Sequence, residues 1–179
     1  MSTQTGKVVS VHVGAEDTLE KQAFDTIELK LDGIKGDRHR GLSRQCWEGD
    51  KQPEGSMRRN ERQWSAVSSE ELAEISQAMQ LSKPLTAATL GANLCLQGIA
   101  DLSTLPRGTT LKFSSGALLM VEEYNPPCSD MGAKIAQEYR CRSGDAPAAN
   151  AFSQAAKFHR GVVGVIEVAG SITVGDEVI

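Results

Sequence analysis

Aromatic residues are scarce in this sequence. Phe, Trp and Tyr together make up 4% of its 179 residues, and the formal net charge at pH 7 is −4. Proteins that bind single-stranded nucleic acid stack bases on aromatic side chains and follow the backbone with a basic groove. The composition therefore argues against nucleic acid as a partner, and any anion site must be a local feature. Aliphatic side chains must supply most of the core.

The sequence also lacks a long apolar run. No stretch approaches the roughly 18 apolar residues of a membrane span, and the N-terminal segment MSTQTGKVVSVHVG has no basic part followed by an apolar signal-peptide core. These absences predict a protein that does not bind membranes and resides in the cytoplasm. Because 179 residues suit one domain of ordinary size, we expect residues 1–179 to form a single domain.

Closely spaced cysteines are absent as well. Cys46, Cys95, Cys128 and Cys141 lie far apart in sequence, and none belongs to a CxxC pair. Without an export signal, this spacing predicts reduced thiols rather than a disulfide framework. The three histidines show no zinc-ligand spacing, so no zinc site is expected.

Short apolar runs with a period of two dominate the pattern, as in GKVVSVHVG, FDTIELKLDGI and TTLKF. One helix has a clear start, because Ser68 and Glu71 form a capping box before a stripe of apolar residues. Residues 130–159 predict two further short helices, the second opened by Pro147. Seven or eight strands against two or three helices predict a mainly β fold: a closed or half-closed antiparallel barrel with peripheral helices. Residues 40–62 are polar and predict a long surface excursion.

The segment DGIKGDRHRG, residues 32–41, combines three glycines with Lys35, Arg38, His39 and Arg40 after a predicted strand. Glycine lets the backbone approach a ligand, and arginine matches phosphate or carboxylate oxygens. The segment is therefore a candidate anion site, although a strand-ending turn with solvated charges has the same composition.

Cys128 follows two prolines in NPPCSD, so fixed φ angles set the direction of its thiol. A thiolate held in this way can act as a nucleophile or as a soft metal ligand. A small buried side chain is the alternative. Cys141 is a rival candidate because arginines flank it, and His159 beside Arg160 is a further candidate for binding an oxyanion.

Five segments, read in order, resemble the MOSC domain family, which is named after the C-terminal domain of molybdenum cofactor sulfurase. They are GIKGDRHRG, QWSAVSSEEL, LGANLCLQGI, LPRGTTLKFSSGALLMVEEYNPPC and GVVGVIEVAGSITVGDEV. The resemblance covers about residues 6–179 and is of the bacterial stand-alone type. It implies a β-barrel fold.

The resemblance also implies a site. The family cysteine corresponds to Cys128, which would carry sulfur as a persulfide or bind molybdenum of the pyranopterin molybdenum cofactor. The motif asparagine corresponds to Asn93, and the basic loop to Arg38 and His39, which with Arg160 would hold the phosphate of that cofactor. A sulfur donor of the cysteine desulfurase type or a redox protein would be the partner.

Alternatives remain open at this point. The chain could be a sulfur transferase, a non-catalytic module that binds or delivers the cofactor, or a molybdenum-dependent reductase of N-hydroxylated compounds acting with partners. The longer reductases of the family have Arg-Pro-Asn where this sequence has Gly91-Ala92-Asn93. In the remaining interpretation the barrel serves an unrelated interaction, and neither metal binding nor sulfur binding depends on Cys128.

Overall fold

The computed structural model describes residues 3–16, 18–99 and 101–179. This part of the chain forms thirteen β-strands, three α-helices and a short 3-10 helix, Leu102–Thr104. The strands are β1 (Gly6–Val13), β2 (Gln22–Phe24), β3 (Thr26–Lys30), β4 (Gly33–Ile34), β5 (Ser43–Gln45), β6 (Met57–Arg59), β7 (Trp64–Ser68), β8 (Leu94–Gln97), β9 (Thr110–Lys112), β10 (Leu118–Tyr124), β11 (Val162–Val168), β12 (Gly170–Thr173) and β13 (Glu177–Val178). The helices are α1 (Ser69–Ala78), α2 (Ser129–Glu138) and α3 (Ala151–Ala155). The prediction of a mainly β fold with two or three helices is confirmed.

The main sheet has eight strands and is mixed. Seven strands follow the order β13-β1-β8-β7-β11-β10-β9, and β2 pairs with β1. Strands β7 and β8 run parallel, with Ala66 opposite Leu94, whereas the other neighbours are antiparallel. A parallel pair needs a crossover connection, and α1 lies in the segment that makes it.

The predicted closed or half-closed antiparallel barrel is not confirmed. The strand order of the main sheet is open, with β13 at one end and β9 at the other, although an isolated bridge joins Phe113 to Val178 of β13. The C-terminal strands also separate: β11 lies between β7 and β10, whereas β12 joins β3 and β4 in a three-stranded sheet. Apolar alternation identifies the faces of a strand but not its partners, so the sequence alone did not determine this arrangement.

Two apolar clusters lie on opposite faces of β7 and β8. Ala66, Leu94 and Leu96 pack into a cluster shared with the three-stranded sheet. Val67 and Cys95 point the other way, into a cluster with side chains from all three helices. This follows from the alternation of side chains along a strand. The ends of β7 and β8 are therefore held in place beneath the helices.

Helix α1 begins as the capping box predicts. The Ser68 side chain accepts a hydrogen bond from the backbone N–H of Glu71 at 3.0 Å, and Leu72 and Ile75 are buried beneath the helix. The helix predicted to open at Pro147 begins instead at Ala151. Among the residues described, no helix has the length and apolar character needed to cross a bilayer.

The polar excursion of residues 40–62 contains a two-stranded ribbon formed by β5 and β6. Arg44 donates hydrogen bonds to both carboxylate oxygens of Asp50 and to Glu61, and Arg58 pairs with the same two carboxylates. The ribbon is thus held by a charge network rather than by apolar packing, which a search for apolar periodicity does not detect.

Candidate functional site

A cavity of about 480 Å³ lies where the loop after β4, the start of β8 and the loop after β10 meet. All five site residues identified in the sequence lie in its wall: Cys128, Arg38, His39, Asn93 and Arg160. The structure therefore brings together side chains that are up to 122 positions apart, as Arg38 and Arg160 are.

Cys128 is the residue directly before α2, and it is exposed. Its backbone is extended, with φ −107° and ψ 159°, and its carbonyl accepts a hydrogen bond from the N–H of Gly132 at 3.3 Å. The thiol itself makes no capping bond with the helix. The sulfur therefore lies at the positive end of the α2 dipole without being used by the helix.

The loop that carries Cys128 is anchored at Asn125, which is buried. The Asn125 N–H donates to the carbonyl of Gly161 at 2.9 Å, and its Oδ1 accepts from Nη2 of Arg62 at 2.7 Å. Two prolines then fix the backbone between this anchor and the thiol. The position of Cys128 is thus determined on both sides, by Asn125 and by the first turn of α2.

Arg160 is a buried cation in the same wall, with 8% of its surface exposed. Its Nη2 donates to the carbonyl of Leu90 at 2.6 Å, whereas its buried Nη1 has no hydrogen-bond partner. Burial lowers the pKa of Arg160 to about 10, and the negative charge of Cys128 opposes that change. The guanidinium therefore lies near Cys128 and has hydrogen-bonding capacity left.

Asp37 organises the opposite side of the cavity, and the sequence reasoning did not select it. Its Oδ2 accepts hydrogen bonds from the Gly14 N–H, Nζ of Lys21 and Nδ2 of Asn93, at 3.2, 2.7 and 2.8 Å. Its Oδ1 accepts from the N–H of His39 at 3.0 Å and faces Nδ1 of that residue at 3.1 Å. Burial raises the pKa of Asp37, but the bonds from His39 and the charge of Lys21 outweigh burial and hold it well below its usual range.

The contact with Asp37 orients His39. A carboxylate only accepts hydrogen bonds, so Nδ1 of His39 must carry a proton, and Nε2 is the ring atom left for a ligand. The His39 side chain is 41% exposed and lies in the cavity wall. The basic loop thus presents a histidine of defined tautomer beside Arg38.

Asn93, the residue directly before β8, is almost fully buried. Its Oδ1 accepts from the N–H and Oγ of Ser65, and its Nδ2 donates to the carbonyl of His12 and to Asp37. Both amide hydrogens are used by the protein, so Asn93 holds the basic loop against the sheet. This arrangement suits a positioning residue rather than a donor to a ligand.

Three further residues of the cavity wall were not found by sequence reasoning: Lys21, Arg62 and Trp47. Lys21 is an isolated basic residue in sequence and Arg62 is one of several arginines in a polar segment, so only the fold brings them to the Cys128 cavity. Trp47 belongs to the ribbon excursion, is 55% exposed, and packs its ring so closely on Gly49 that an added Cβ there would approach within 2.4 Å. In the sequence, the one signal for any of these three residues was a tryptophan within a polar segment.

The other cysteines lie elsewhere. Cys46 and Cys95 are buried, and burial raises the pKa of Cys95 to about 11. Cys141 is half-buried and its thiol donates to the carbonyl of Met79 at 3.5 Å. Of the four, Cys128 is the cysteine found in the cavity wall. His159 pairs with Glu74 outside that wall.

Basic residues outnumber acidic residues in the described part of the cavity wall. The described lining residues include one acidic residue, Asp130, and four basic residues: Lys21, Arg38, Arg62 and Arg160. Burial lowers the pKa of Arg62, while the charge of Glu123 opposes that effect. No group of three or more His, Cys, Asp or Glu suited to a metal ion occurs in the described parts of the chain. The described lining residues therefore carry an excess of positive charge, although Lys21 is already paired with Asp37.

The sequence model of the MOSC domain matches residues 37–179. A protein of Bacillus subtilis (strain 168) named "Putative metal-sulfur cluster biosynthesis proteins YuaD" is 34% identical over 178 residues, covering 97% of this chain and 89% of that protein.

The crystal structure of the YuaD protein from Bacillus subtilis superimposes with a TM-score of 0.91 at 30% identity, covering 99% of this chain and 97% of that one. YiiM from Geobacillus stearothermophilus superimposes with a TM-score of 0.65 at 17% identity, covering 97% of this chain and 74% of that one. The latter likeness concerns the fold alone.

The family match spans most of the chain and begins at Asp37, the centre of the hydrogen-bond network in the basic loop. The likeness to YuaD extends over nearly the whole of both proteins. The chain belongs to the MOSC domain family.

Proposed function

We propose that this MOSC protein handles sulfur for metal–sulfur cofactors, with Cys128 as the residue that carries the sulfur as a persulfide. The observation that carries this proposal is that the thiol of Cys128 is exposed in a cavity whose wall contains the four cations named above. The name of the Bacillus subtilis relative, which refers to metal–sulfur cluster biosynthesis, supports the same general role.

The surroundings of Cys128 suit such a carrier. A thiolate is the species that attacks sulfane sulfur, and the product again bears a negative charge on its terminal sulfur. The N-terminus of α2 favours negative charge at this position both before and after sulfur is bound. Because Cys128 is exposed, a donor of the cysteine desulfurase type and an acceptor can each reach it.

Binding of the molybdenum cofactor is a second candidate function of the same cavity. The free Nη1 of Arg160 fits the oxygen of an anionic group, and the exposed thiol of Cys128 fits a soft metal. Arg160, Arg38 and His39 would hold the phosphate, Cys128 would be the protein ligand of molybdenum, and Asn93 would position the basic loop. When bound, the cofactor would supply two-electron redox chemistry, as in a molybdenum-dependent reductase; a delivery module would bind it without turnover.

One preparation tests both candidates. The protein is produced in molybdenum-replete cells and assayed for cyanide-releasable sulfur and for molybdenum, beside Cys128→Ser and the matched Cys141→Ser. We expect sulfur in the wild type and in Cys141→Ser and none in Cys128→Ser, with any molybdenum following the same pattern. Equal sulfur and metal in all three proteins would contradict the assignment of Cys128.

A further inference from the structure

The guanidinium of Arg160 makes few hydrogen bonds for such a deeply buried group. Nine-tenths of its surface is buried, yet Nη1 has no hydrogen-bond partner, and its one bond from Nη2 goes to a neutral carbonyl. A buried cation without a paired anion is unfavourable. Arg160 lies in the Cys128 cavity, so an anion bound there would supply the missing partner.

Helix α2 adds a second set of donors beside Cys128. The first N–H groups of an α-helix have no partners within the helix and favour bound anions. The side chain at the N-cap, which often uses one of these groups, is here the thiol of Cys128, and it makes no capping bond. Asp130 opposes an anion at this end, but Arg160, Arg38 and Arg62 outnumber it among the described lining residues, while the fourth cation, Lys21, is paired with Asp37.

From these two observations we infer that the cavity binds a small oxyanion next to Cys128, and that a thiosulfonate-type sulfane donor, with thiosulfate as the simplest member, loads the thiol directly. The inference rests on the proposed persulfide function and names the class of its donor. In this reaction the sulfonate oxygens bind Arg160 and the α2 N-terminus, and the sulfane sulfur faces Sγ of Cys128.

The step balances without an added oxidant or reductant. The Cys128 thiolate attacks the sulfane sulfur, an S–S bond forms between them, and the bond from that sulfur to the sulfonate sulfur breaks. Sulfite leaves with the electron pair of the broken bond. One negative charge remains on the persulfide and two leave on sulfite, equal to the three charges of the thiolate and thiosulfate.

The test is to mix reduced protein with thiosulfate, measure sulfite release, and locate the added sulfur by peptide mass spectrometry. Inorganic polysulfide, which has no sulfonate, is the parallel donor. The variants are Arg160→Gln, Arg160→Lys, and Arg107→Gln as a surface arginine outside the cavity wall. Unfolding curves and polysulfide loading show whether each variant is folded and has a reactive thiol.

We expect sulfite release equal to the sulfur found on Cys128, unchanged in Arg107→Gln. In Arg160→Gln the thiosulfate rate should fall about tenfold to a hundredfold, the effect of losing one charge-assisted hydrogen bond, while polysulfide loading persists. The thiosulfate rate of Arg160→Lys should lie between those of the wild type and Arg160→Gln. Sulfate at matched ionic strength should slow alkylation of Cys128 by iodoacetamide in the wild type, a result that does not depend on how the variants fold.

The other outcomes separate the two proposals. If polysulfide loads Cys128 but thiosulfate does not, the oxyanion donor is wrong and the persulfide function stands. If thiosulfate loads Arg160→Gln as fast as the wild type, or sulfate gives no protection, the assignment of Arg160 is wrong. If neither donor loads Cys128, both the donor and the persulfide function fail.

Discussion

Replacing Asp37 by Asn should destabilise the protein strongly, because it removes a buried charge while leaving that charge's partners in place. The side chain of Asp37 is fully buried, and that of its partner Lys21 is 3% exposed. Removing one member of a buried ion pair leaves the other uncompensated, which costs about 3–5 kcal/mol. We therefore expect the free energy of unfolding at pH 7 to fall by about that amount.

The hydrogen-bond geometry predicts a loss of stability in the same direction. Every contact to Asp37 comes from a donor: three to Oδ2 and two to Oδ1. The NH₂ group of an asparagine must replace one of these oxygens, so the backbone N–H of Gly14 or of His39 loses its acceptor. An unsatisfied buried donor costs about 1–3 kcal/mol, but this loss is not simply additive with the charge effect, because the groups belong to one network.

The assay is urea unfolding followed by far-UV circular dichroism, with Asp32→Asn as the matched control on the other side of β4. Asp32 pairs with Arg40 and its side chain is 34% exposed, so its loss should cost less than about 1 kcal/mol. Similar small losses in the two variants would refute the view that Asp37 is the electrostatic centre of the loop. Adding Lys21→Met to Asp37→Asn should restore part of the stability, since it removes the uncompensated cation.

The effect of Asp37→Asn should also depend on pH. The pKa of Asp37 in the folded protein lies below its unfolded value of about 3.9. The folded state therefore binds fewer protons, so the stabilisation is present above that unfolded value and is lost as the pH falls through the folded-state pKa. Because Asn does not titrate, the difference between wild type and variant should shrink below about pH 4. A difference that stays constant from pH 7 to pH 3 would contradict the low pKa.

Two further predictions concern the first helix and the reactivity of the cysteines. Ser68→Ala should lower the free energy of unfolding by about 1 kcal/mol, because the Ser68 side chain caps a backbone N–H of α1, whereas Ser69→Ala should have a smaller effect; equal losses would contradict the capping role. With limiting iodoacetamide near neutral pH, Cys128 should alkylate first, Cys141 later, and Cys95 last because burial raises its pKa to about 11. Peptide mass spectrometry gives the order, and faster alkylation of Cys141 than of Cys128 would contradict it.

Local signals in the sequence predicted local structure well. The capping box at Ser68 marked the start of α1, and the residues that flank Cys128 indicated a directed thiol, which the structure finds exposed in a cavity wall. In these cases the information lies within a few residues of the feature. The family motifs added the correspondence of Arg38, His39 and Asn93 with one site.

Long-range pairing was the part that the sequence did not reveal. Lys21 is 16 residues from Asp37 and Asn93 is 56 residues from it, yet both side chains donate a hydrogen bond to Oδ2 of Asp37. Nothing in the neighbourhood of Lys21 distinguishes it from a surface lysine. For the same reason the parallel pairing of β7 with β8 and the open order of the main sheet were not predictable from alternation.

The sulfur content of the Cys128 peptide after exposure to a persulfide donor tests the central claim most directly. Reduced protein is incubated with a cysteine desulfurase and cysteine, the reaction is quenched by alkylation, and the peptides are analysed by mass spectrometry. The account predicts a mass gain of one sulfur atom on the peptide that contains Cys128 and none on those containing Cys46, Cys95 or Cys141. Sulfur on Cys141 with none on Cys128, or no sulfur on any cysteine with either this donor or thiosulfate, would contradict it.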